Sequence, residues 1–152
     1  MPTAFRYLVA LCAVATPCMA QQPTPAAAAK QVVTVPGTNL SSTLSQGIRV
    51  GDMLYASGQL GMRRDAPDST IEGQTRQALE NTKAILEAGG TGMANVVKCT
   101  VFLVNAADFQ PMNRVYREYF PKDPPARSTV VVAALVSASA KVEIECMAAI
   151  PR

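Results

Sequence analysis

NVVKCTVFLVNAADFQPMNRVYREYFPKDPPARSTVVVAAL, residues 95–135, decides how this chain folds. Its first eleven residues are rich in Val and Phe and apolar on both faces, which predicts a strand near the middle of a sheet. At Asp108 the period changes. Phe109, Met112, Val115/Tyr116 and Tyr119/Phe120 recur at helical spacing, behind a cap at Asp108 and a Pro111 that the first turn tolerates. PKDPP (121–125) breaks the helix, and ARSTVVVAALV (126–136) resumes as a strand. The aromatic stripe reads as core packing. Arg127 is the anomaly, a permanent positive charge at the mouth of an otherwise apolar strand.

Working outward, AKVEIECMAAI (140–150) is a last strand, joined across SASA (137–140). Upstream, GIRVGDMLYASGQ (47–59) predicts two short strands reversed at Gly51-Asp52, with Gly58 at a strand end where a missing Cβ admits another group. RRDAPDST (63–70) is a loop with the solvated pair Arg63-Arg64. Ser69 with Glu72 resembles a capping box, and Ala78, Leu79, Thr82, Ile85 and Leu86 then share one helical face until Gly89-Gly90 stops the helix. Glu80 and Glu87 fall on the solvent side rather than forming a catalytic pair. The order is ββ-α-β-α-ββ, with QVVTV (31–35) available as an extra edge strand. That order predicts an α+β fold, one mixed sheet with two helices on a single face. The other face is expected to be moderately apolar, with Val131, Ala133, Met147 and Ala149 pointing together, and to be covered by homo-oligomerisation.

Three segments divide the 152 residues. Residues 1–20 carry Arg6, the apolar run YLVALCAVA and a small-residue end at CMA, the pattern of a signal peptide cleaved after Ala20. Residues 21–36 have the Gln, Pro, Thr and Ala composition of a linker, and 37–152 form the domain. The protein is therefore expected to be exported, into the periplasm of a bacterial source, with no membrane attachment once the leader is gone. Loss of the leader removes one basic residue and leaves a net charge of +2, too weak and scattered for nucleic acid. Cys99 and Cys146 remain in the domain, each inside a strand. They are expected as two buried thiols, with pairing in an oxidising compartment as the alternative. With no histidine, a zinc site is rejected, and no cofactor is implied.

Arginine's planar fork grips a carboxylate through two parallel hydrogen bonds. Arg127 is then either a structural ion pair or an anion receptor. In KVEIECM, Glu143 and Glu145 share a face opposite Val142, Ile144 and Cys146. One of these carboxylates either pairs with Arg127 or acts as a general base on water beside an arginine occupied by ligand.

Collinear stretches tip that balance. ASGQLG (56–61), EGQTRQALENTKAILEAGG (72–90), NVVKCTVFLVNAADFQPMNRVYREYF (95–120), PPARSTV (124–130) and VEIECMA (142–148) resemble the reactive-intermediate deaminase (Rid) family, also called the L-PSP endoribonuclease family. The arginine of PARS with the downstream VEIE is the specific part. The resemblance implies a chorismate-mutase-like α+β fold and a homotrimer with sites in the clefts between subunits. It implies hydrolysis of enamines and imines of small 2-amino acids, such as 2-aminoacrylate and 2-iminopropionate, to 2-keto acids and ammonia. Arg127 matches the arginine that holds the substrate carboxylate, and Glu143 the residue that positions or activates water. Gly58 and Asn113 match pocket positions, and the backbone around Thr129 would line the pocket. The chain departs from the family at Leu44, where the deaminases carry a tyrosine, and at Thr129, where they carry a cysteine. A non-catalytic trimer that binds small carboxylates, or acts as a chaperone, is the alternative. Ribonuclease action is disfavoured by the lack of histidine and of a clustered basic groove.

Overall fold

The computed structural model describes residues 28–38, 43–62 and 69–152. The expected leader and the Arg63-Arg64 pair lie outside the described residues, as do residues 21–27 of the expected linker. The elements are β1 (Gln31–Val33), β2 (Gly47–Val50), β3 (Met53–Leu60), α1 (Ile71–Ala88), β4 (Val96–Leu103), α2 (Phe109–Tyr119), β5 (Ala126–Val131) and β6 (Val142–Ala149). The six strands form one sheet in the order β1-β2-β3-β6-β4-β5. Every pairing is antiparallel except β4 with β5, which run parallel because α2 carries the chain back across the sheet. The predicted α+β architecture and the extra edge strand are both present.

The core lies between the sheet and both helices. Leu79, Leu86 and Met112 from the helices meet Leu54, Val101, Leu103, Val142 and Ile144 from the strands, and all are fully buried. Helix α1 begins one residue later than expected. Thr70, not Ser69, is the cap, and its side chain accepts a bond from the Gly73 N–H at 3.0 Å. The helix ends as predicted, with Gly90 at φ 87° and Thr91 N–H bonded to the Leu86 carbonyl. Asp108 stands at the cap position of α2 but makes no side-chain cap bond. Asn105 caps instead, accepting from Ala107 N–H ahead of a 3₁₀ turn over 106–108.

Register corrects three expectations. First, β5 stops at Val131 rather than running to 136, because its partner β4 ends at Leu103, opposite Val131. Residues 132–141 instead follow an irregular path, tied down by the buried Gln74, whose amide donates to the Ser139 carbonyl and accepts from Lys141 N–H. Second, Val131 does not share a face with Met147. It aligns with Leu103 and Val142 on the helix side, whereas Met147 aligns with Tyr55 on the open side. Third, Cys99 and Cys146 are not free thiols. They stand directly opposite in β4 and β6, with Cα atoms 4.1 Å apart, and form a disulfide. Antiparallel neighbours in a narrow pair bring their Cβ atoms together, and spacing along the chain does not reveal which strands are neighbours. The open face carries Tyr55, Met147 and Val130, all substantially exposed.

Candidate functional site

Arg127 is the second residue of β5 and faces the helices, in register with Cys99 and so with the disulfide. Above it α2 sets two aromatic rings, one at each end of a seven-residue interval. The guanidinium carbon lies 4.5 Å from the Tyr116 ring centre and 5.8 Å from that of Phe109. An aromatic face attracts a cation without occupying its N–H donors. Among the described residues Arg127 has no ion pair and no hydrogen bond. The expected acidic partners are on the wrong side of the sheet. Glu143 aligns with Phe102 and Glu145 with Thr100, on the open face, while Val142, Ile144 and Cys146 take the face that Arg127 shares. The stripe read as core packing therefore has a second role. It holds a half-buried charge in place while leaving the donor fork free.

Arg127 opens into a cavity of about 360 Å³ lined by Asn113, Tyr116, Arg117, Pro124 and Pro125. No carboxylate is among these residues. Helix periodicity puts Asn113, Tyr116 and Arg117 on one side of α2, and the two prolines end the turn that leads into β5. The Asn113 amide has no hydrogen-bond partner among the described residues. The Tyr116 hydroxyl is also buried without a partner. Burial pushes its pKa up to about 12, against the opposing pull of the Arg127 charge. Thr129 lies two residues along the same face, but its hydroxyl is buried and unpaired, and the residue does not line the cavity.

The other expected residues form a second cluster on the open face. Between Ala56 and Gln59 the register of β3 against β6 slips, and Gly58 sits in the slipped segment. The Glu143 carboxylate lies against it so closely that a Cβ on Gly58 would meet Oε1 at 2.0 Å. The neighbouring Ser57 ties this strand to the segment before β2, with its N–H on the Gln46 carbonyl and its hydroxyl on that of Ser45. Leu44, where the family carries tyrosine, is well exposed beside Ser45 in sequence.

The sequence-derived residues thus gather in two groups on opposite faces of the sheet, Arg127 with Asn113 and Gly58 with Glu143. One group offers unpaired donors to its cavity, and the other holds a carboxylate. Phe109, Tyr116 and Arg117 complete the first group; the first two were read as core packing, and Arg117 was not singled out by sequence reading. Their only signal was helical spacing toward a PPAR turn, which a packing stripe also produces.

The six-stranded α+β domain thus sets an aromatic-backed, unpaired arginine over a small cavity free of carboxylates, chemistry suited to a small organic anion. The family model described as Endoribonuclease L-PSP matches residues 36–150, and the chain belongs to that family. It is 43% identical over 107 residues to the Reactive Intermediate Deaminase A, chloroplastic, of Arabidopsis thaliana, a match covering 68% of this chain and 57% of that protein. The chain thus spans little more than half of that relative's length. It is 42% identical over 109 residues to the 2-iminobutanoate/2-iminopropanoate deaminase of Dermatophagoides farinae, covering 70% of this chain and 84% of the mite protein. Among solved structures it is similar to E. coli TdcF with bound serine, at a TM-score of 0.73 and 31% identity over 80% of this chain and 99% of that one.

Proposed function

We propose that this chain is the subunit of a homotrimeric hydrolase that converts 2-imino acids, and their enamine tautomers, to 2-keto acids and ammonia. The observation that carries the reading is the Arg127 guanidinium, held by ring faces over a carboxylate-free cavity with its donors unspent. It is suited to take the substrate carboxylate by two parallel charge-assisted bonds. An open sheet face with exposed Tyr55, Val130 and Met147 among its polar side chains favours assembly, and assembly supplies what one chain lacks. Glu143 lies across the sheet from Arg127 within a chain, so the carboxylate that serves an Arg127 cavity comes from a neighbouring subunit.

In that cleft the imine carbon is already electrophilic. Glu143 accepts a hydrogen bond from water and orients its oxygen toward C2. The new C–O bond forms as the C=N π pair moves to nitrogen. A proton from the water passes to that nitrogen, giving a carbinolamine; its hydroxyl then yields its proton to the amine as the O–H pair closes the C=O bond, the C–N bond breaks with its pair on nitrogen, and ammonia leaves the keto acid behind. The relatives named as deaminases support the reaction class. The leader-like residues 1–20 and the disulfide support an exported protein working in an oxidising compartment such as the periplasm.

The test generates 2-iminopropionate with an amino-acid oxidase and traps surviving imine with semicarbazide. The protein should suppress trapping in proportion to dose. Arg127→Ala should lose this by about 10²–10⁴-fold in kcat/KM, from two charge-assisted bonds. Arg127→Lys keeps the charge but not the fork and should not restore activity. Unchanged trapping at every dose rejects the activity, and calorimetric binding of pyruvate without turnover would leave a carboxylate-binding trimer.

A further inference from the structure

The arginines of the two helices divide into spent and unspent. Arg76 is paired with Glu118, and Arg114 with Glu72 at 2.9 Å. Elsewhere Arg152 is paired with Asp52, and Arg49 donates to the Gly51 carbonyl. Of the arginines among the described residues, only Arg117 and Arg127 have neither an ion pair nor a hydrogen bond, and both line the same cavity of about 360 Å³.

The sequence around Arg117 keeps it unpaired. On a helix its partners would stand three or four residues away. Those positions hold Asn113, Arg114, Phe120 and Pro121, none of them acidic. The adjacent Glu118 points to the other side of α2 and is taken by Arg76. A second cation has therefore been left beside the first, in a cavity with no carboxylate of its own. Two like charges at one site repel each other and carry a cost that a dianion relieves.

From this pair we infer that the site favours 2-imino acids with a second, distal carboxylate, the imines of acidic amino acids, with Arg127 holding the α-carboxylate and Arg117 the distal one. This rests on the proposed function and names its substrate class. The cavity volume lies at the lower end for small-ligand sites, enough for a four- or five-carbon diacid. The reaction that supplies such a substrate is oxidation of the amine of an acidic amino acid, and the product is a 2-keto diacid.

Calorimetry on the intact protein at low ionic strength tests the inference, with 2-oxoglutarate against 2-oxopentanoate, which has the same chain length and no second carboxylate. The diacid should bind about tenfold tighter, a preference that shrinks as salt screens the exposed Arg117. In Arg117→Gln the ratio of the two Kd values should fall to within about twofold. Arg117 is exposed, so this variant folds. Equal affinities in the unaltered protein overturn the inference, as does a preference that survives Arg117→Gln. Binding of both acids that persists in Arg127→Ala rejects the underlying function. Binding that depends on Arg127 but shows no diacid preference rejects only the substrate class.

Discussion

Replacing Gly58 with alanine puts a methyl group where the Glu143 carboxylate now lies. The new Cβ would stand 2.0 Å from Oε1, 3.0 Å from Cδ and 3.2 Å from Cγ. Ordinary contact is about 3.4 Å or more, so the carboxylate must swing away by well over about 1 Å. Oε1 is the far end of a flexible side chain on the open face, and Gly58 does not occupy the left-handed region. The backbone therefore accepts alanine, and the stability cost should stay near 1 kcal/mol. Catalysis should not be so tolerant. A displacement of about 1 Å in a group that orients water costs about 10²-fold. Imine trapping should show kcat/KM for Gly58→Ala down by about that factor, while the unfolding midpoint in urea moves little. Glu143→Gln should lose a similar amount, and the double variant little more than either alone, because both changes remove one function. A Gly58→Ala enzyme within threefold of the unaltered one would refute the reasoning, as would a double variant whose losses simply multiply.

The disulfide and the Tyr116 and Tyr119 phenols make further predictions. Unreduced protein should show no free thiol at Cys99 or Cys146 in denaturant, and changing both to alanine should lower stability to urea by about 2–4 kcal/mol. Free thiols in protein purified from an oxidising compartment would contradict the pairing. Burial raises Tyr116 to about 12, and burial with a hydrogen bond to Glu80 raises Tyr119 to about 12. Both values lie above the unfolded value of 10, so the protonated phenols stabilise the fold fully below pH 10, and that stability is lost as pH rises from 10 toward 12. Urea unfolding should become easier over that range, and Tyr116→Phe with Tyr119→Phe should flatten the decline. An equal decline in the double variant would contradict the assignment.

Most of the architecture was legible because helices and strands announce themselves by local period. The spacing of Leu79, Leu86 and Met112 marked the faces that are buried, and Gly89-Gly90 marked where α1 stops. What was not legible depends on register between strands distant in sequence. Alternation places Arg127 with Val131, and Glu143 with Met147. It does not say which face of β5 matches which face of β6. That parity separates Arg127 from its expected acidic partner, and it also aligns Cys99 with Cys146. Arg127 itself was visible as a charge out of place. The rings that hold it were hidden, because a cradle and a core-packing stripe have the same helical spacing.

Two inactive variants, mixed, test the central claim most directly. Arg127→Ala and Glu143→Gln subunits, denatured together in equal amounts and refolded, should form random trimers in which about a quarter of the sites join an intact arginine to a neighbour's intact glutamate. About a quarter of the unaltered activity is expected from two preparations that have almost none separately. A mixture as inactive as its parents, in trimers shown to have exchanged subunits, would contradict it.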